Sequence, residues 1–154
     1  MTRPSLVDVP AVLAVEDNAD HATLITMVLR AGLKGCDVRV ASSGAAAREY
    51  LQNTLDAPGT TPRPGLIVLD MYLGDATGLE ILEWISERPQ FTDIPVILFT
   101  SSTEPGLAKK AYTLGARRVV TKPDNFRELV EVVYQVVPVW TASGSADGVK
   151  TAGA

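Results

Sequence analysis

Cysteine occurs once in the 154 residues, as Cys36, which excludes an internal disulfide and a thiolate metal cage. Basic residues are outnumbered, 14 Lys and Arg against 18 Asp and Glu, and the pI near 4.9 argues against a nucleic-acid binder. Long apolar runs are missing as well. Leu66-Ile67-Val68-Leu69 is typical of those present, against the roughly 18 residues of a membrane span. The opening MTRPSLVDVP lacks the apolar stretch of a signal peptide, and the first such stretch, 11–15, stops at Glu16-Asp17. These absences predict a soluble, cytoplasmic protein with no membrane or nucleic-acid partner. At about 150 residues per domain the length predicts a single domain, and a chain this long buries roughly 68–70% of its unfolded surface without staples.

Four short apolar runs lie at 11–15, 66–69, 96–99 and 119–120. Each is bounded by turn or polar residues and none alternates, which is how strands buried on both faces of a parallel sheet read. A fifth candidate, 37–41, alternates in part through Val38 and Val40, as an edge strand would. Helical patterns fall between the strands. Leu24, Ile25, Val28 and Leu29 mark one face of 20–31; Leu79, Ile81, Leu82, Trp84 and Ile85 mark 77–88; Phe126, Leu129, Val130, Val133, Val136 and Val137 form a wide stripe on 125–137. Weaker patterns cover 43–52 and 104–114. The expected fold is therefore α/β: a five-stranded, parallel, doubly wound sheet of five β-α units, with ligands beyond the carboxyl ends of the strands. Residues 1–9 read as a lead-in, 10–140 as the domain and 141–154 as a flexible tail; 56–65, with three prolines and two glycines, reads as a true loop.

Strand one runs into Glu16-Asp17, strand three into Asp70, strand four into Thr100-Ser101 and strand five into Thr121-Lys122-Pro123. Singly, each has an ordinary explanation: an acidic pair caps a helix, an aspartate forms a turn, a Ser/Thr run caps, a lysine is solvated. Together they bring three carboxylates, a hydroxyl and an ammonium to one sheet edge. Carboxylates about 4 Å apart repel by roughly 4 kcal/mol per pair at an effective dielectric of 20. A bound divalent cation offsets that cost. Oxygen ligands without histidine or cysteine favour Mg²⁺ over zinc, and Mg²⁺ held by few carboxylates leaves room for phosphate oxygens. The site reads as phosphoryl chemistry.

VEDN after strand one, LDMYLGDATGLE through strand three, LFTSS through strand four and TKP after strand five resemble the receiver domain of two-component response regulators, over about residues 11–137. The resemblance implies the flavodoxin-like fold of the chemotaxis receiver. It implies Asp70 as phosphoacceptor, and a Mg²⁺ held by Asp17, Asp70, the backbone carbonyl of Tyr72 and, mostly through water, Glu16. Lys122 would pair with the phosphoryl oxygens and Thr100 would swing toward them, with Ser101 beside it. Pro123 would follow a cis peptide bond, and Gly78 matches the family's loop glycine before the third helix. The implied donor is a phosphohistidine on a sensor histidine kinase, and the protein is a phosphoacceptor with self-phosphorylation and autodephosphorylation chemistry only, not a turnover enzyme.

The chain departs from the pattern in places. Val119 stands three before the lysine, where many receivers carry an aromatic switch residue, so packing replaces the usual threonine–aromatic relay. Gly74 stands where proline is common and is expected to loosen its loop. Tyr72 either shields the acyl phosphate or lies on the surface. His21 reads as a surface helix residue, with a phosphate relay the alternative; Cys36 and Trp84 read as packing residues. After the fifth helix only Pro138-Val139-Trp140 and the tail remain, too short for a helix-turn-helix module, so output goes through protein binding or onward phosphate transfer. The proline-bearing loop, LFTSST and the Val-Trp end also resemble stand-alone regulators paired with bacterial phytochrome kinases. That likeness implies a homodimer on the face formed by the fourth helix (104–114), the fifth strand (119–120) and the fifth helix (125–137). Val132, Val136, Val139 and Trp140 add apolar surface there, unless Trp140 folds back onto its own domain. A phosphorelay intermediate and a phosphate-independent receiver-like binding module are the alternatives. A flavodoxin-type cofactor protein would need a phosphate-cradling loop where Glu16-Asp17-Asn18 stands. A haloacid-dehalogenase-type phosphatase would need a second aspartate at Tyr72.

Overall fold

The computed structural model describes residues 11–33, 35–122, 127–128 and 130–131. Five strands form one parallel sheet: β1 (Ala11–Val15), β2 (Asp37–Ala41), β3 (Leu66–Asp70), β4 (Val96–Thr100) and β5 (Arg118–Thr121). Their order is β2-β1-β3-β4-β5, so the order reverses between β1 and β3. The helices are α1 (Ala19–Gly32), α2 (Gly44–Asp56), α3 (Gly78–Ser86) and α4 (Leu107–Thr113).

The period-2 geometry of the strands sorts the core into two layers. Val12 and Ala14 of β1, Leu66 and Val68 of β3, and Ile97 and Phe99 of β4 pack with Ile25, Val28 and Leu29 of α1. Their neighbours Leu13, Val15, Ile67, Leu69, Val96 and Leu98 face the other way, onto Leu51 of α2, Ile81, Leu82 and Ile85 of α3, and Leu107 and Ala111 of α4. Every residue of β1, β3 and β4 is buried. β2 is an edge strand, as its alternation suggests. β5 is the other edge: Val119 packs on one core layer and Val120 on the other, so both faces have partners as the run suggests, but the strand is only half-buried because a terminal strand has a sheet neighbour on one side alone.

Local chemistry starts most of the helices. Asn18 Oδ1 accepts from His21 N–H, Ser43 Oγ from Ala46 N–H, and Thr77 Oγ1 from Glu80 N–H. α4 begins later than its pattern predicts, because Gly106 takes the left-handed conformation (φ +86°) and breaks the turn that Glu104 and Pro105 would open. Of the predicted fifth helix, Arg127, Glu128, Val130 and Glu131 are described and are helical. The remainder of that helix, including Val132 and Val136, lies outside the described residues, as do Pro123 with its expected cis bond, Val139, Trp140, the lead-in and the tail. Among the described residues no helix is long and apolar enough to cross a membrane. Cys36 is half-buried against the α1 layer, and Trp84 stacks on Phe91 at 6.1 Å with the Arg88 guanidinium 3.8 Å above its ring, so both are packing residues.

Candidate functional site

The reversal of strand order places the ends of β1 and β3 side by side. Glu16 follows β1 and keeps its ladder hydrogen bond, N–H to the Ala41 carbonyl at 3.0 Å, so its side chain is fixed at the sheet edge and 1% exposed. Asp17, one residue on, is exposed. Asp70 is the last residue of β3 and 6% exposed. One carboxylate oxygen from each of the three lies within 4.8 Å of the others. Lys122, after β5, spans the pocket: its Nζ is 3.0 Å from Glu16 Oε1 and 3.2 Å from Asp70 Oδ2. The second Glu16 oxygen accepts from Asn18 N–H at 3.1 Å.

The charges are unbalanced, and Asp70 registers it. Burial first, then the Glu16 carboxylate, push its carboxyl up from 3.8 to about 6, against the pull of Lys122. Burial works against the Lys122 ammonium, but the hydrogen bond to Glu16 and the two carboxylate charges hold it above its ordinary value. Three carboxylates facing one ammonium, with hard oxygens as the only donors in the cluster, fit a hard divalent cation. Such an ion would offset the burial and the carboxylate repulsion that make ionisation of Asp70 costly.

Thr100 closes β4 one strand over and is buried; its Oγ1 accepts from Ser102 N–H at 3.0 Å, and its carbonyl accepts from Lys122 N–H at 2.7 Å. Ser101 is exposed, and Tyr72 is 51% exposed, which places its ring at the surface. Gly78 is required by space. A Cβ there would stand 2.7 Å from the Asp70 carbonyl oxygen, 2.7 Å from Leu98 Cδ1 and 3.1 Å from Met71 Cα. Its N–H donates to the Met71 carbonyl at 2.6 Å, closing the loop that leaves Asp70. Val119 carries no ring, but its N–H donates to the hydroxyl of Tyr112 on α4 at 3.1 Å. The sheet edge thus gathers Glu16, Asp17, Asp70, Thr100 and Lys122 as expected. The Nδ1 of His21 is buried without a hydrogen-bond partner, and no described contact joins it to the carboxylates.

Two residues escaped the sequence reading. Asp75 reaches back from the β3–α3 loop to the start of α2, accepting from Gly44 N–H at 2.8 Å and Ala45 N–H at 3.0 Å. These hydrogen bonds, that of Gly44 first, hold its carboxyl below the ordinary range. Gly44 admits no side chain, since a Cβ would lie 2.9 Å from Ala76 Cβ and 3.0 Å from Ile81 Cδ1. A signal existed: α2 opens without an acidic residue in its first turn, so any acid at that end must come from elsewhere in the chain. The loop that Gly74 was expected to loosen is consequently braced.

Residues 12–134 match the response regulator receiver domain family. Response regulator Rcp1 of Synechocystis sp. is 30% identical over 129 residues, covering 84% of this chain and 87% of the relative. The crystal structure of the Mn²⁺-bound form of Rcp1 superposes with a TM-score of 0.74 at 29% identity, covering 84% of this chain and 93% of that one. The phosphorylated cyanobacterial phytochrome response regulator RcpA gives 0.77 at 27% identity, covering 88% and 96%. With the sheet order, the acidic edge and these matches in agreement, the chain belongs to the response regulator receiver domain family.

Proposed function

We propose that this receiver accepts a phosphoryl group from the phosphohistidine of a sensor histidine kinase onto Asp70, in a Mg²⁺-dependent reaction in the cytoplasm. The observation that carries the reading is the buried Asp70 carboxylate sharing Lys122 with Glu16, within 4.8 Å of the oxygens of Glu16 and Asp17. A carboxylate is a weak nucleophile, so the site's work is alignment and charge neutralisation. Asp17, Asp70, the Tyr72 carbonyl and, through water, Glu16 would hold the Mg²⁺, which supplies positive charge to the phosphoryl oxygens. The P–N bond of the donor breaks as the Asp70 oxygen bonds phosphorus, and the histidine nitrogen keeps the electron pair. Lys122 pairs with the phosphoryl oxygens. Thr100 gives up its contact with Ser102 N–H to follow them, altering the α4–β5 surface.

The likeness to Rcp1 and RcpA supports a phytochrome-type kinase as the donor, with output through binding of a downstream protein and a homodimer using α4, β5 and the helix beyond. The protein is a phosphoacceptor, not a turnover enzyme. Intact mass after incubation with a small phosphodonor tests the core of the reading. One phosphoryl adduct is expected with Mg²⁺, none with chelator and none in Asp70→Asn. Absence of the adduct from the wild type under both a small donor and a histidine kinase would leave a phosphate-independent binding module.

A further inference from the structure

We propose that Asp75 is a positioning residue for the metal pocket, bracing the β3–α3 loop against the first amides of α2 so that the loop's own backbone is set for the ion. The inference rests on the metal-dependent reading above and extends it to a residue outside the acidic cluster. The loop from Met71 to Thr77 carries the Tyr72 carbonyl assigned to the ion. It also carries Gly74, whose left-handed backbone (φ +81°) brings its Cβ position within 3.6 Å of Asp17 Oδ2. The loop's start is tied to the sheet, Met71 N–H donating to the Phe99 carbonyl at 2.8 Å, and its far end closes back on that start, Gly78 N–H donating to the Met71 carbonyl at 2.6 Å. Its middle has only short internal bonds, Leu73 N–H to the Ala76 carbonyl at 3.0 Å and Asp75 N–H to the Leu73 carbonyl at 2.8 Å.

Leu73 anchors this turn by burying its side chain in the core, and the Asp75 carboxylate adds the directional tie, one oxygen on each of Gly44 N–H and Ala45 N–H. Two charge-assisted bonds to adjacent amides define an orientation as well as a distance. The missing side chain of Gly44 lets Ala76 close on the same spot. Gly74 removes the stiffness of a proline from the turn, and the Asp75 brace replaces it from outside. A metal-ligand carbonyl displaced by a fraction of an ångström loses affinity, so a residue that touches neither ion nor acceptor sets how well the pocket is formed.

Mn²⁺ binding, read from the loss of the free-ion electron paramagnetic resonance signal, tests this without any phosphoryl transfer. Asp75→Ala is expected to weaken Mn²⁺ binding about tenfold. Asp75→Asn keeps one acceptor oxygen and should fall between it and the wild type. Ser43→Ala removes the cap that α2 takes from Ser43 Oγ, its hydrogen bond from Ala46 N–H at 3.0 Å, and leaves the Asp75 brace intact. It should lower melting temperature with Mn²⁺ affinity unchanged, which separates positioning from general support of α2. Equal affinities for Asp75→Ala and wild type, or equal weakening by Ser43→Ala, overturn the inference. Asp17→Asn keeps the two readings apart: if it too binds Mn²⁺ like the wild type, the metal reading itself has failed.

Discussion

At the end of β3, Asp75 reaches amides 30 and 31 residues away; past the end of β4, the described hydrogen bonds of residues 101–105 reach no more than three residues along the chain. The same contrast runs through the strands and helices behind them. β1 and β3 are buried throughout and feed capped helices, whereas β5 is half-buried and α4 starts on an uncapped glycine. One half of the sheet edge holds the carboxylates in place, and the other holds the loop that follows the buried Thr100 lightly. The proposed phosphoacceptor role would use both: chemistry wants a fixed nucleophile, and a switch wants an element whose alternative conformation costs little.

Adding one methyl group to each half should expose the difference most strongly. In Gly78→Ala the new carbon meets the Asp70 carbonyl and the buried Leu98, and the loop must shift, at a cost of about 2–3 kcal/mol. In Gly106→Ala nothing lies within 4 Å, so the cost is only that of the left-handed backbone, about 1 kcal/mol. Urea denaturation of the two variants measures both. Comparable losses would mean that the β4–α4 side is as tightly built as the β3–α3 side.

A second test weakens the rigid half by its own charge. The folded protein holds the Asp70 proton up to about pH 6, while an aspartate in the unfolded chain releases it near 3.8. Between those values the unfolded state binds fewer protons, so ionisation costs stability progressively and the penalty is complete above pH 6. Metal-free Asp70→Asn should therefore be more stable than wild type at pH 7, by on the order of 1–2 kcal/mol, with the gain vanishing toward pH 4. Saturating Mg²⁺ should reverse the ranking, since an ion at a hundred times its Kd adds about 2.7 kcal/mol to the protein that binds it. A variant less stable than wild type at pH 7 without metal would show that the pocket is not strained by its carboxylates.

The rigid half was also the legible half. Continuous apolar runs marked β1, β3 and β4, and the acids at their ends announced the site, because burial and charge are written into consecutive residues. Errors fell where the deciding contact was distant or conformational. Nothing local shows that Gly106 turns left-handed behind a favourable Glu-Pro start, or that β5 forms an edge. α2 runs past Gln52 to Asp56, where Leu51 and Thr54 are both buried and the Thr54 hydroxyl is satisfied within the helix, donating to the Leu51 carbonyl at 2.6 Å. Asp75 was missed because its partners lie 30 residues back; Gly44, because the atoms that exclude its Cβ come from another loop.

The smallest expected effect lies in the loose half, at the bond between Tyr112 and Val119. The family's aromatic is absent from position 119, yet an aromatic from α4 supplies the contact there, its hydroxyl accepting the Val119 N–H at 3.1 Å on the half-buried edge strand. Tyr112→Phe keeps the ring and deletes the acceptor. One neutral hydrogen bond at a 46% exposed side chain contributes about 0.5–1 kcal/mol, too little to move the global melting temperature far. It is enough to speed local opening, so Val119 amide hydrogen exchange should rise about fivefold while the Gly44 and Ala45 amides stay unchanged. Unchanged exchange at Val119 would mean that β5 is held by packing alone, and the path from Thr100 to the α4 surface would then have to run through side chains rather than through this bond.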